Sequence, residues 1–358
     1  MDALPTTPPA FARRSDMEGT HDLTGSRPLV WILTGSRVGD NNQMIALAEA
    51  LGFPFEAKQL KYNALGRIAF LRGEHLAYLD RDSRRRLTPP WPDLIIGLGY
   101  DSVPVSRYVR RQSGGRTRLV QIGNPRTSID EFDLVIKTPQ YSIGKAPNVL
   151  ELPFPIGNPA RTVVATNEEE MWLRAFPRPR RLVAVGGSTR QWKIDNSELD
   201  RTIRHLQALC ASNGGSVIAV VSRRTTPETK RLLKSRLSGE TEALVENFPR
   251  FATLLAWCDE FYVTADSVSM LSEAILTGKP VGMIPIARSL RGAIGHAFRR
   301  RGWKIRSHAN LSDFWLHLTN NNLVGTIECP VASDVADTVK LAANAVRRVI
   351  ESPPRRIS

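Results

Sequence analysis

Cysteine is scarce in this chain. Cys210, Cys258 and Cys329 are three in 358 residues, odd in number and far apart. They suit neither a disulfide framework nor a cysteine-based zinc site, and a reducing cytoplasmic compartment is expected. Long apolar runs are absent too: nothing approaches the roughly 20 residues that span a bilayer. Aromatic residues make up only 7%, too few to interleave stacking rings with cationic side chains, so nucleic-acid binding is not expected. The stretch up to Arg27 carries Pro, Thr, Arg and Asp without an apolar signal core, and residues 1–27 read as a disordered tail. None of the six histidines forms a motif; His296, in the basic stretch Arg291–Arg301, reads as a surface or cleft-facing residue. No metal and no cofactor are expected.

Acidic residues are also in deficit, 35 against 49 Lys and Arg, which leaves a formal charge of +14. An excess of that size favours polyanionic partners, either nucleotide substrates or an anionic membrane surface. The cations gather at Arg84–Arg86, Arg107–Arg118, Arg178–Arg181 and Arg299–Arg306. The same clusters also suit plain solvated faces.

With 42% hydrophobic residues, the chain can build two cores. Leu29–Thr34, Asp93–Gly99, Leu119–Ile122 and Phe132–Ile136 read as buried strands, with helices after the first two. Arg181–Ser188, Ser216–Val221 and Phe261–Thr264 repeat the pattern. Strands alternating with helices imply an α/β protein with two Rossmann-like, doubly wound domains facing a cleft, ligands sitting beyond the carboxyl ends of the strands. The expected boundaries are an N-terminal domain over 28–150, a linker over 151–180 and a second domain over 181–330. A helix within 331–358 should pack back.

The most informative segment is Phe261–Ala274 followed by Thr277-Gly278-Lys279-Pro280. An apolar strand stops at Asp266 and Ser267 and passes at once into a helix, so its free amides and the hydroxyls of Ser267 and Ser269 suit an anion. Glu273 lies one turn beyond Ser269 on the same face, where a carboxylate accepts from sugar hydroxyls. A nucleoside diphosphate has both parts. An ordinary capped turn uses the same residue types without a ligand.

Trp31–Thr34 with Gly39-Asp40-Asn41-Asn42-Gln43, Gly114–Gln121, Gly186-Gly187-Ser188, Ser222–Thr225 and Val263–Pro280 together resemble the mitochondrial-fission elongated-mitochondria family and its bacterial homologues, over about Val30–Pro285. That family is similar to the GT-B group of nucleotide-sugar glycosyltransferases. The resemblance implies a transferase moving sugar from a nucleotide diphosphate sugar to a lipid or cell-envelope acceptor, peripheral on the cytoplasmic side of the inner membrane. It equally implies a non-catalytic, membrane-associated scaffold that kept the fold. For the enzyme, Gly186, Gly187 and Ser188 would approach the phosphates. Arg223 and Arg224 would neutralise the leaving diphosphate, and Asp266, Ser267, Ser269 and Glu273 would hold phosphate and ribose. Asp40 would be the general base or merely a helix cap, with Gly35, Ser36, Arg37, Gly39 and Gln43 shaping the acceptor loop. Gly99-Tyr100-Asp101 and Gln121–Arg126 depart from the family pattern, so the acceptor does not transfer; Asp101, Asn124 and Arg126 would meet in the cleft or serve as turn residues.

Overall fold

A computed structural model of the chain describes residues 27–63, 76–157, 163–189, 191–289, 293 and 310–352. The expected tail up to residue 26, His296 and the basic run Arg299–Arg306 lie outside these residues.

The first lobe is built on a six-stranded parallel sheet. Its strands are β1 (Val30–Thr34), β2 (Phe55–Gln59), β3 (Leu94–Leu98), β4 (Arg118–Ile122), β5 (Leu134–Lys137) and β6 (Val149–Glu151), in the order β2-β1-β3-β4-β5-β6. Strands β1, β3 and β5 are buried almost throughout and read as continuous apolar runs, as strands covered on both faces must. Helix α1 (Val38–Leu51) covers one face through Met44 and Leu47; the short α2 (Arg81–Arg85) leads into β3, and α3 (Val103–Gln112) covers the other face through Val105 and Val109.

The second lobe follows after α4 (Asn167–Arg174), with β7 (Arg180–Val185), β8 (Trp192–Lys193), α5 (Asn196–Asn213), β9 (Ser216–Val221), α6 (Pro227–Arg236) and β10 (Glu242–Val245). It continues through α7 (Phe251–Trp257), β11 (Glu260–Thr264), α8 (Val268–Ile275), β12 (Val281–Ile284) and β13 (Ala287–Arg288). Its five-stranded parallel sheet has the order β10-β9-β7-β11-β12, while β8 and β13 form a separate antiparallel pair. Helices α4, α7, α8 and Leu311–Asn320 pack on one face, α5 and α6 on the other. Strand order reverses between β1 and β3 and again between β7 and β11, so each sheet has a switch point where loops part and a crevice opens.

The final helix, Thr338–Glu351, returns to the first lobe. Val339, Ala342, Ala343 and Val346 are buried beside Met44 and Leu47 of α1. Arg347 Nη2 donates to Ala50 O at 2.6 Å, and Arg118 Nη1 donates to Ser352 O at 2.5 Å.

The described residues of the expected linker, 151–157 and 163–180, include α4 and part of the second-lobe core. Phe154 is fully buried in the second-lobe core with Leu173 and Phe176, and α4 opens with a capping box. In that box Glu169 N donates to Thr166 Oγ1 at 3.2 Å and Thr166 N donates to Glu169 Oε2 at 3.0 Å. Thr-Asn-Glu-Glu is itself a legible start signal. Strand β2 was missed for a different reason: it is an edge strand whose residues are mostly exposed, so it has no apolar run.

Placing a charge among the first-lobe contacts of the final helix should unfold that lobe. Val346→Asp is expected to cost at least about 3 kcal/mol in urea unfolding, whereas the exposed Lys340→Ala should cost under about 0.5 kcal/mol.

Candidate functional site

Two helix mouths converge between the lobes. At α8 the N-cap residue Ser267 makes no side-chain capping bond, and Leu271 N is the amide that returns to Ser267 O, at 3.0 Å. The amides of Val268, Ser269 and Met270 therefore point out of the helix unpaired within it, carrying its positive end. At α1 the N-cap is Arg37, again without a side-chain bond, and Asn41 N returns to Arg37 O at 3.1 Å. The Asn41 side chain clasps the loop ahead of it, accepting from Gly35 N at 2.9 Å and donating to Gly35 O at 2.9 Å. The mouths touch: a Cβ on Gly39 would lie 3.0 Å from Ser269 Oγ. Glycine lets the two positive ends approach closely enough to face one anion.

Beside this contact lies a cavity of about 350 Å³, walled by α1 through Asn42, Gln43 and Ala46 and by α8 through Ser269, Ser272 and Glu273. Glu273 has no hydrogen bond or ion pair among the described residues, and burial alone pushes its carboxyl up to about 7. The residue is half-buried on the cavity wall, where its carboxyl can accept hydrogen bonds from a bound molecule. Lys279, on the same cavity wall, is spent: its Nζ donates to Leu255, Ala256 and Cys258 carbonyls at 3.3, 2.9 and 2.6 Å.

The glycine loop after β7 behaves differently from its expected role. Gly186 N donates to Thr264 Oγ1 at 2.8 Å, and Gly187 N donates to Asp266 Oδ2 at 2.8 Å. A side chain at Gly186 would overlap the Asp266 carboxylate, and one at Gly187 would overlap the Arg224 backbone. Gly186 makes room for the Asp266 carboxylate and Gly187 for the Arg224 backbone, and both glycine amides are already engaged within the fold. Asp266 is a buried clasp between the β7 loop and β11; Thr264 Oγ1 donates to it at 2.7 Å, and burial raises its pKa despite these bonds. Arg224 lies 3.8 Å from Asp266. Arg223 and Ser188 are exposed.

On the first-lobe side, Asp40 sits in the first turn of α1 and not at its cap, because the helix starts at Val38. Burial raises its pKa, Arg37 at 3.8 Å lowers it, and Asp101 raises it again. Asp40 and Gln43 line a second pocket, of about 40 Å³, beyond the carboxyl ends of β3, β4 and β5. Tyr141 closes one side, its phenol pushed up by burial and by Asp40. Arg126 lowers that phenol's pKa and lays its guanidinium 3.9 Å over the Tyr100 ring. Its neighbour Asn124 accepts from Arg126 N at 2.8 Å as a turn residue. Ser36 and Arg37 are exposed at the rim. Thr138, Gln140 and Tyr141 were missed by the sequence reading, although they follow a strand's carboxyl end.

The basic clusters divide. Arg107 pairs with Glu131 at 2.5 Å, Arg110 binds Asp133, Arg178 binds Asp259, and Arg181 pairs with Glu260 at 3.1 Å. Arg180 donates to Phe176 O at 2.9 Å. These arginines hold the fold. Arg84, Arg85, Arg86 and Arg116 are exposed and have no ion pair among the described residues. No described helix is long and apolar enough to cross a membrane. Among the described residues no group of three or more His, Cys, Asp and Glu side chains is placed to hold a metal.

Two Rossmann-like lobes facing a cleft, with one helix mouth from each, define a GT-B-type fold. Its overall likeness extends to a putative UDP-N-acetylglucosamine 2-epimerase from Listeria monocytogenes (TM-score 0.50, 15% identity, 93% of this chain and 100% of that one). The UDP-GlcNAc 2-epimerase from Methanocaldococcus jannaschii is similar to the same extent (TM-score 0.50, 11% identity, 90% and 100%). The sequence profile described as Mitochondrial fission ELM1 matches residues 38–312, and the chain belongs to that family. The mitochondrial fission protein ELM1 of Arabidopsis thaliana is 27% identical over 231 residues, covering 54% of this chain and about half, 51%, of its own length.

Burial of Glu273 has a consequence for stability. A carboxyl whose folded pKa is about 7, above its ordinary 4.5, takes up protons on folding, so it destabilises the protein as pH rises from about 4.5 through 7. Glu273→Gln should therefore melt higher than the parent at pH 8, by the equivalent of roughly 1–3 kcal/mol, and the same as the parent at pH 4.5.

Proposed function

We propose that this chain binds a nucleoside diphosphate sugar in the cleft and transfers the sugar to an acceptor hydroxyl. The observation that carries the reading is the unpartnered Glu273 carboxyl in a cavity beside the two open helix mouths. The diphosphate would lie on the amides of Val268, Ser269 and Met270 with the hydroxyls of Ser267 and Ser269. Glu273 would accept from the ribose hydroxyls. Arg37 and Arg224, both largely exposed, reach toward the cleft and would add charge compensation. The two fold neighbours, a putative and an assigned UDP-N-acetylglucosamine 2-epimerase, support a nucleotide-sugar ligand.

For transfer, the acceptor hydroxyl gives its proton to the Asp40 carboxylate while its oxygen bonds to the anomeric carbon. The bond from that carbon to the diphosphate breaks, and the leaving anion gathers charge at the α8 mouth, where the amides are fixed in advance. Burial and the nearby Asp101 carboxylate raise the Asp40 pKa, which makes it a stronger base than a free carboxylate.

One observation favours a second reading, that of a scaffold which kept the fold without turnover. Asp266 occupies the Gly187 amide and thereby removes a donor that a phosphate would use. In either reading the unpaired Arg84, Arg85, Arg86 and Arg116 supply an anionic-membrane surface. Arg116 lies ahead of β4 at the amino edge of the first sheet, where Thr117 Oγ1 donates to Pro92 O at 2.7 Å. Arg84–Arg86 sit on and just after α2, whose Ser83 Oγ donates to Gln59 O at the carboxyl end of the edge strand β2, at 3.1 Å.

Calorimetric titration with uridine, guanosine and thymidine diphosphates should show micromolar binding to one of them. Glu273→Ala should weaken that binding at least about tenfold, and the parent's affinity should rise as pH climbs through 7 and the carboxylate forms. Binding to none of the three would leave the scaffold reading standing. The protein should float with anionic liposomes at low salt, and replacing Arg84, Arg85, Arg86 and Arg116 by Gln should abolish flotation without changing nucleotide affinity.

A further inference from the structure

In the loop that follows the carboxyl end of β4, Arg126 has a backbone φ of +57°, a left-handed conformation that one other non-glycine residue, Asn322, shares among the described residues. Such a backbone costs free energy where there is a side chain, and it persists where the surroundings hold it, often at a ligand clamp. Two contacts hold it here. The Asn124 side chain accepts from Arg126 N at 2.8 Å, and the Arg126 guanidinium lies 3.9 Å over the Tyr100 ring. The loop is anchored at Gly123, where a Cβ would lie 3.5 Å from the Tyr141 phenol.

A guanidinium stacked this way spends its flat face on the ring and keeps its N–H edge for an oxyanion, which it can take as a bidentate pair. No carboxylate of the protein meets that edge. Arg126 is exposed and has no ion pair among the described residues, whereas Arg107, Arg110, Arg178 and Arg181 are all paired. Arg37, the other cation at this end of the cleft, has Asp40 at 3.8 Å. Arg126, Arg37 and Asp40 all act on the Tyr141 phenol, and Asp40 and Tyr141 line the same small pocket, so Arg126 stands at the Asp40 end of the cleft. The α8 mouth belongs to the other lobe.

We propose that Arg126, aligned by Tyr100, recognises an oxyanion carried by the acceptor, a phosphate or a carboxylate, and so selects an anionic acceptor. Arg126 is then a specificity residue and Tyr100 a positioning residue. This rests on the transferase reading of the cleft and adds the acceptor's charge, which that reading leaves open.

Calorimetry at low salt tests it with glucose 6-phosphate, glucuronate and glucose, each titrated with and without UDP. One of the two anionic sugars should bind at least about tenfold tighter than glucose, the phosphate and carboxylate arms telling which oxyanion fits. Added salt should shrink that preference. Arg126→Gln should erase it while UDP affinity and the melting temperature stay at the parent's values. Tyr100→Phe, which keeps the ring, should retain the preference, and Tyr100→Leu should lower it. Equal binding of the three sugars, binding of none, or a preference that survives Arg126→Gln overturns the proposal. So does a loss of UDP affinity in Arg126→Gln, which would move this guanidinium to the donor. An Arg126-dependent preference in a protein that binds no UDP would instead sink the nucleotide reading and leave the oxyanion site standing.

Discussion

The rest of the structure depends on how closely α1 and α8 approach each other. Each helix would be unremarkable alone, since open amides at a helix start are normally satisfied by water or a cap. Gly39 lets the first lobe meet Ser269 of the second with no side chain between them, and two positive helix ends then share one space. Like partial charges brought together repel slightly unless an anion joins them. Other contacts set the register: Asn310 N donates to Gln140 O at 2.8 Å, and Thr338 Oγ1 meets Gly157 N at 3.4 Å. A side chain on Gly157 would overlap Leu276, so the lobes are in contact at that point also. The final helix crosses back to pack on α1 and so ties the end of the chain to the same element that opens the cleft.

Around that contact the carboxylates have separate tasks, each set by surroundings and not by residue type. Asp266 is clasped by Gly187 N and Thr264 Oγ1 and fixes the β11–α8 turn. Glu169 is held by Arg250, whose Nη2 lies 2.5 Å away, and keeps α4 on α7 with its pKa far below the usual range. Glu273 has neither arrangement and is the one that burial leaves protonated near neutral pH. Hydrogen bonding favours the charged form and desolvation favours the neutral one. The same distinction separates the arginines. Arg107 and Arg110 of α3 and Arg181 of β7 pair with buried or half-buried carboxylates, and Arg84–Arg86 and Arg116 face solvent.

Much of this was legible. Continuous apolar runs at Val30–Thr34, Ser216–Val221 and Glu260–Thr264 announce strands buried on both faces, and their alternation with helices announces two doubly wound sheets. The Asp266–Glu273 spacing brings Ser269 and Glu273 to one helical face because α-helical geometry repeats every 3.6 residues. Edge elements such as β2 and β10 were illegible, since half-exposed strands lack an apolar signature. The pocket of Thr138, Gln140 and Tyr141 was illegible for another reason. Polar residues in a loop look alike until burial shows which of them lack partners.

Local order, then, came from the sequence by itself: periodicity, caps, glycine positions and net charge are properties of neighbours along the chain, and helix and strand geometry converts them directly into faces and ends. Only the tertiary structure decided which groups were already paired. Gly186 and Gly187 carry free amides in the sequence, but Thr264 and Asp266, 78 and 79 residues away, accept from them in the fold. Hydrogen bonds, ion pairs and burial between distant segments obey distance in space, which spacing along a chain does not record.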